Sequence, residues 1–178
     1  MTAAPAPRFR VLFLCTGNSA RSQMAEALLN AKGRGRFRAE SAGSQPAARI
    51  NPLTVETMQA FSSGWTGHPP RGLDGLEREH WDFVITVCDR AREACPIFPG
   101  QPVIAHWGMP DPAAVAGDAE TMRKAFRDAF HLLSYRIELL LSLPIESLER
   151  MALEARVRAI GAEAGQPSHG VPQGAARR

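Results

Sequence analysis

The chain has 178 residues, of which 44% are hydrophobic, 22% charged and 7% aromatic, the balance of a globular protein with one main core. Three cysteines, few and odd in number, argue against a disulfide-stapled secreted scaffold, and a net charge of +3 suits anionic ligands without demanding nucleic acid. No apolar run approaches the roughly 18 residues of a membrane-crossing helix, and Val11–Leu14 is shorter than the roughly 7–15-residue core of a secretory signal, so a reducing cytoplasm is expected, where thiols stay free for chemistry.

Residues 1–8, rich in Ala and Pro, are expected to form a flexible arm. Phe9 to Leu14 is a continuous apolar run, the pattern of a strand buried on both faces, ending at Cys15. From Ser22 to Ala31 the apolar residues Met24, Ala27, Leu28 and Ala31 recur at helical spacing, with Gly33 and Gly35 as the stop. Phe37–Ala42 reads as a second strand and Leu53–Phe61, after Asn51-Pro52, as a second helix. Leu73–His80 is expected to be a short helix, Asp82–Cys88 a buried strand and Pro102–His106 an edge strand. The strongest helical stripe runs from Ala119 to Leu143, Pro144 breaks it, and Ile145–Ile160 reads as one more amphipathic helix. Residues 162–178, poor in large apolar side chains, are expected to be a disordered tail. Alternating strands and helices imply an α/β domain over residues 9–161, an open, mostly parallel sheet with helices on both faces.

Cys15-Thr16-Gly17-Asn18-Ser19-Ala20-Arg21-Ser22 carries the chemistry. A loop between a buried strand and a helix N-terminus can wrap a tetrahedral oxyanion, with N–H groups and the helix dipole facing the charge and an Arg fork closing over it. The same field is expected to hold Cys15 as a thiolate, because thiol pKa values at such sites fall from about 8.5 to roughly 3.5–7.5. The Ser22 hydroxyl is placed to donate to it, and the Asn18 amide to hold the loop's shape. The plainer reading makes Cys15 a small buried hydrophobe at a strand end.

Residues 11–29, Val-Leu-Phe-Leu-Cys-Thr-Gly-Asn-Ser-Ala-Arg-Ser-Gln-Met-Ala-Glu-Ala-Leu-Leu, resemble the signature of the low-molecular-weight protein tyrosine phosphatase superfamily, and within it the arsenate reductase branch. Ser41-Ala42-Gly43, Val84-Ile85-Thr86-Val87-Cys88, Cys95-Pro96 and His106-Trp107-Gly108 leading to Asp111-Pro112 extend the likeness over about residues 9–143. The resemblance implies a four-stranded parallel sheet flanked by helices, and Asp111 as the acid that protonates the leaving oxygen. In the thioredoxin-coupled reductases that this chain resembles, Cys88 would take the disulfide from Cys15, and Cys95 would then attack Cys88.

The resemblance leaves two activities on one loop. A phosphatase needs one thiolate and one acid, whereas arsenate reduction draws two electrons from thiols. Ala113-Ala114-Val115 follows Asp111-Pro112 where the phosphatases carry tyrosines, and Tyr135 is the only tyrosine, which favours a small inorganic oxyanion: arsenate, with phosphate or sulfate as mimics. The expected function is therefore arsenate reduction by Cys15, Arg21, Asp111, Cys88 and Cys95, with Thr16, Gly17, Asn18, Ser19, Ala20, Arg21 and Ser22 holding the anion. A low-molecular-weight phosphatase and a non-catalytic oxyanion-binding module stay open as alternatives. Thioredoxin is implied as reductant by resemblance alone, beside glutaredoxin and mycothiol systems.

If residues 89–95 were regular helix, Cys88 and Cys95 would lie about 10.5 Å apart along its axis, beyond the roughly 7 Å Cα limit for a bridge. A mobile segment from Asp89 to Pro99 is expected. No cofactor, nucleic acid or membrane is expected as a partner, nor zinc, because His68, His80, His131 and His169 do not group with the cysteines. Relatives that bind potassium beside the loop use Asn, Glu, Ser and Asp. Asn18, Glu26 and Ser41 match, but the acidic position falls at Arg71, which implies no potassium dependence. Trp107 is expected near the Asp111 loop, or else in the core.

Overall fold

A computed structural model describes residues 9–163. The expected arm 1–8 and the chain from 164 onward, His169 included, lie outside the described residues. Four strands, β1 (Phe9–Cys15), β2 (Phe37–Gly43), β3 (Phe83–Thr86) and β4 (Val103–His106), form one parallel sheet in the order β2-β1-β3-β4. Val11–Cys15 are buried in succession, as a strand covered on both faces must be.

Among the described residues, five α-helices accompany the sheet: α1 (Arg21–Lys32), α2 (Pro52–Phe61), α3 (Asp89–Glu93), α4 (Ala119–Ser142) and α5 (Arg150–Ile160). Asn51 caps α2 by accepting from the Leu53 N–H, with Pro52 as its first residue, and Asp118 caps α4 through the Thr121 N–H. Leu133, Ile137 and Leu140 of α4, Leu28 and Leu29 of α1 and Val157 of α5 join the strands in one contiguous core.

Four expected elements differ. Leu73–His80 is reduced to a 3-10 turn at Leu76–Arg78, because Gly75 at φ +87° interrupts it and the Leu76 carbonyl accepts the Trp81 indole N–H. The third strand begins at Phe83 and ends at Thr86 instead of Cys88, since its pairing runs out opposite Leu14 and His106. Pairing of the fourth strand likewise starts at Val103, not Pro102. Ile145–Ile160 is not one helix: a 3-10 turn at Ile145–Ser147 gives way to extended Leu148, and the Ser147 hydroxyl bonds the Pro144 carbonyl at 3.0 Å in place of helical continuation.

The carboxyl ends of β1 and β3 meet where the strand order switches direction, the crevice in which open α/β sheets bind ligands. Cys15 ends β1, and Cys88 lies two residues beyond β3.

Candidate active site

The loop from Cys15 to Ala20 is tied down by its carbonyls. Those of Cys15, Thr16 and Gly17 accept the N–H groups of Ser44, Gln45 and Ala47; those of Ser19 and Ala20 accept from Asn51 and Met24; that of Asn18 accepts the Gln23 amide. With the carbonyl edges bonded outward, the N–H edges face the other way, and Asn18 adopts φ +49° to make the reversal. This is the geometry of an anion nest at a helix N-terminus. Ala20, which caps α1, supplies no side-chain bond. A Cβ on Gly43 would stand 2.4 Å from the Thr16 carbonyl oxygen, so only glycine allows β2 to end this close to the loop.

Cys15 is 4% exposed. Its Sγ lies 2.8 Å from the Ser22 hydroxyl and accepts the Asn18 N–H at 3.1 Å. Burial pushes the thiol up from its ordinary value, against the lowering pull of the Ser22 hydroxyl and the Asn18 and Ser22 N–H groups; the nearby Cys88 adds to the rise. Desolvation thus opposes the thiolate that the loop's donors favour. The Asn18 amide donates to the Ser22 and Ser41 hydroxyls, both at 2.9 Å, and accepts the Arg71 N–H at 3.0 Å, tying the loop to α1 and β2.

Arg21 donates to the Met109 carbonyl at 3.0 Å and pairs with the Asp111 carboxylate at 3.5 Å. Asp111 also accepts the Ala113 N–H at 3.0 Å, which fixes its carboxylate above a 3-10 turn at Pro112–Ala114. Cys88, 6% exposed, stands at the N-cap of α3 with its Sγ 3.3 Å from the Thr16 hydroxyl. Cys15, Thr16, Arg21, Cys88 and Asp111 all line one cavity of about 650 Å³.

Cys95 is not brought into it. Residues 89–93 are helical, and Cys95 lines a separate cleft with Arg92, His106 and Arg158. Burial pushes its thiol up. Trp107 is wholly buried against Phe13, with its indole N–H bonded to the Val157 carbonyl, which makes it a core residue and not part of the Asp111 loop's surface.

A model of the low molecular weight phosphotyrosine protein phosphatase family matches residues 10–153. The chain belongs to this family. It is 33% identical over 128 residues to an arsenate reductase of Oceanobacillus iheyensis, a stretch of 72% of this chain and 91% of that one. An arsenate reductase structure from Archaeoglobus fulgidus superposes with a TM-score of 0.59 at 30% identity, over 75% of this chain and 99% of that one. A thioredoxin-dependent arsenate reductase from Corynebacterium glutamicum does so with a TM-score of 0.52 at 30% identity, over 76% and 64%.

For this family member the potassium donors do converge, but they are already engaged. Ser41 donates to Glu26, the His68 imidazole contacts Glu26 at 2.9 Å, and the Arg71 guanidinium bonds the Ser41 carbonyl and Glu40. Two basic side chains occupy the surroundings a cation would need, so these residues do not fit one. Sequence reasoning missed the anchoring of the loop carbonyls by residues 44–51 and the Met109 carbonyl that holds Arg21. The signal for the first was Gly43, whose missing Cβ marks a close backbone approach.

Proposed function

We propose that the protein is an arsenate reductase. The observation that carries this reading is the second thiol, Cys88, in the wall of the cavity that holds Cys15. A phosphatase has no use for it, whereas reduction does. Arsenate sits on the loop N–H groups from Thr16 to Ser22 under the Arg21 fork. The Cys15 thiolate attacks arsenic, and Asp111 protonates the departing oxygen, which leaves as water. The Cys88 thiolate then attacks Cys15 Sγ. A sulfur–sulfur bond forms, the sulfur–arsenic bond breaks, and its electron pair leaves with arsenic as arsenite.

Cys95 next attacks Cys88, freeing the Cys15 thiolate. Seven residues at helical rise span about 10.5 Å, beyond the reach of a disulfide, so α3 between Cys88 and Cys95 unwinds for the bridge to form. Thioredoxin supplies the two electrons that reopen it; the C. glutamicum relative supports that choice. A reducing cytoplasm keeps the three thiols available between turnovers. The domain spans residues 9–161 with α5 appended. The test is arsenate-dependent oxidation of thioredoxin by wild type and by Cys15→Ser, Cys88→Ser and Cys95→Ser. All three substitutions abolish steady turnover in this reading. A Cys88→Ser variant that reduces arsenate at the wild-type rate contradicts it.

A further inference from the structure

Arg136 lies on α4, 4% exposed. Its guanidinium donates to the carbonyls of Trp107 at 2.9 Å and Gly108 at 3.2 Å on one side, and of Gly161 at 3.0 Å and Glu163 at 3.4 Å on the other. Its Nε has no hydrogen-bond partner, and no carboxylate pairs with it, among the described residues. A buried cation without a counter-charge is costly, and a methionine would fill the same space. What Arg136 adds is a fork between two segments that lie far apart in the chain.

One segment, Trp107-Gly108, leads straight into the Asp111 loop. The next residue, Met109, presents the carbonyl that holds Arg21, and Asp111 pairs with the same guanidinium. The other segment follows α5, most of which lies beyond residue 153, where the family match ends. The negative end of the α5 dipole faces Arg136 and partly offsets its burial. Two further contacts join the segments: the Trp107 indole bonds the Val157 carbonyl at 3.0 Å, and a Cβ on Gly161 would meet the His106 carbonyl oxygen at 2.1 Å.

We propose that Arg136 is a positioning residue for Asp111, and that through it the C-terminal helix α5 sets the placement of the acid over the anion loop. The proposal rests on the reading of Asp111 as the proton donor. A displacement of about 1 Å at a reacting group costs on the order of a hundredfold in rate, so a tether two residues upstream of the Met109 carbonyl acts on catalysis without touching substrate.

The test is a double-mutant cycle on the full chain, read as the single-turnover rate of arsenate-dependent thiol loss. Arg136→Met and Gly161→Ala are each made in the wild type and in Asp111→Asn. Gly161→Ala adds one methyl group and carries the test should Arg136→Met fail to fold. The expected result is a loss of about tenfold or more in the wild-type background and of less than about twofold in Asp111→Asn, the non-additivity of residues that act through one group. The half-saturating arsenate concentration stays unchanged. Equal losses in both backgrounds would make the residue a general support of the fold and overturn the proposal, as would wild-type rates in both variants. If Asp111→Asn alone reacts at the wild-type rate, the acid assignment itself has failed and the positioning role falls with it.

Discussion

The Sγ of Cys88 lies 3.3 Å from the hydroxyl of Thr16, the residue that follows Cys15. Two thiols thus share the wall of one cavity, although the contacting side chains are 72 positions apart in sequence. Cys88→Ser is predicted to stop steady arsenate reduction while leaving hydrolysis of an aryl phosphate, which needs only Cys15, Arg21 and Asp111, near the wild-type level. Parallel assays of the two reactions on one preparation check this; equal loss of both would point to damage of the loop.

Burial raises the Cys15 thiol above its ordinary value, so the thiolate fraction, and with it the rate of attack, grows as pH rises through and beyond the usual thiol range of about 8.5. Ser22→Ala removes the strongest opposing donor. Each unit of further rise lowers the thiolate fraction at neutral pH by about tenfold. Alkylation of Cys15 by iodoacetamide across pH, with Cys88 and Cys95 replaced by serine, measures both effects.

Gly43→Ala drives a Cβ to 2.4 Å from the Thr16 carbonyl and 3.0 Å from the Asn18 nitrogen. The Thr16 carbonyl also accepts the Gln45 N–H, so a loop that moves to relieve the clash strains that bond. A destabilisation of about 1–3 kcal/mol is predicted from overpacking, together with a loss of the thermal stabilisation that phosphate or sulfate gives the wild type. Melting with and without the anion separates the two.

The His68 imidazole contacts Glu26, which raises its pKa against burial and the opposing charge of Arg71. A group raised in the folded state contributes its full stability below the unfolded value, about 6.5, and loses it as pH rises through the folded value. The stability difference between wild type and His68→Gln is therefore largest in mild acid and shrinks towards alkaline pH. Urea titrations at several pH values test the sign; a difference that grows with pH would contradict the pairing.

Much of this site can be read from local pattern. The apolar run before Cys15 and the 3.6-residue spacing after Arg21 dictate β1 and α1, and so the tight loop from Cys15 to Arg21 between them. What the sequence hides depends on partners distant in the chain. The strand period runs on to Cys88, but pairing ends at Thr86, opposite Leu14 and His106. The sign of the Cys15 shift is set by how completely the core closes over the sulfur, which no loop motif encodes. Arg136 stands amid the apolar stripe of α4 and, from spacing alone, gives no hint that four carbonyls from two segments converge on it. Residues 44–51 carry no motif, yet they turn the loop's carbonyls outward.

Mass mapping of disulfides, after arsenate is added to the fully reduced protein without any reductant, tests the electron path most directly. The account predicts a bridge between Cys15 and Cys88 that forms first and gives way to one between Cys88 and Cys95, with one arsenite released per chain. Release of arsenite with all three thiols still free, or bridges that form equally fast without arsenate, would contradict it.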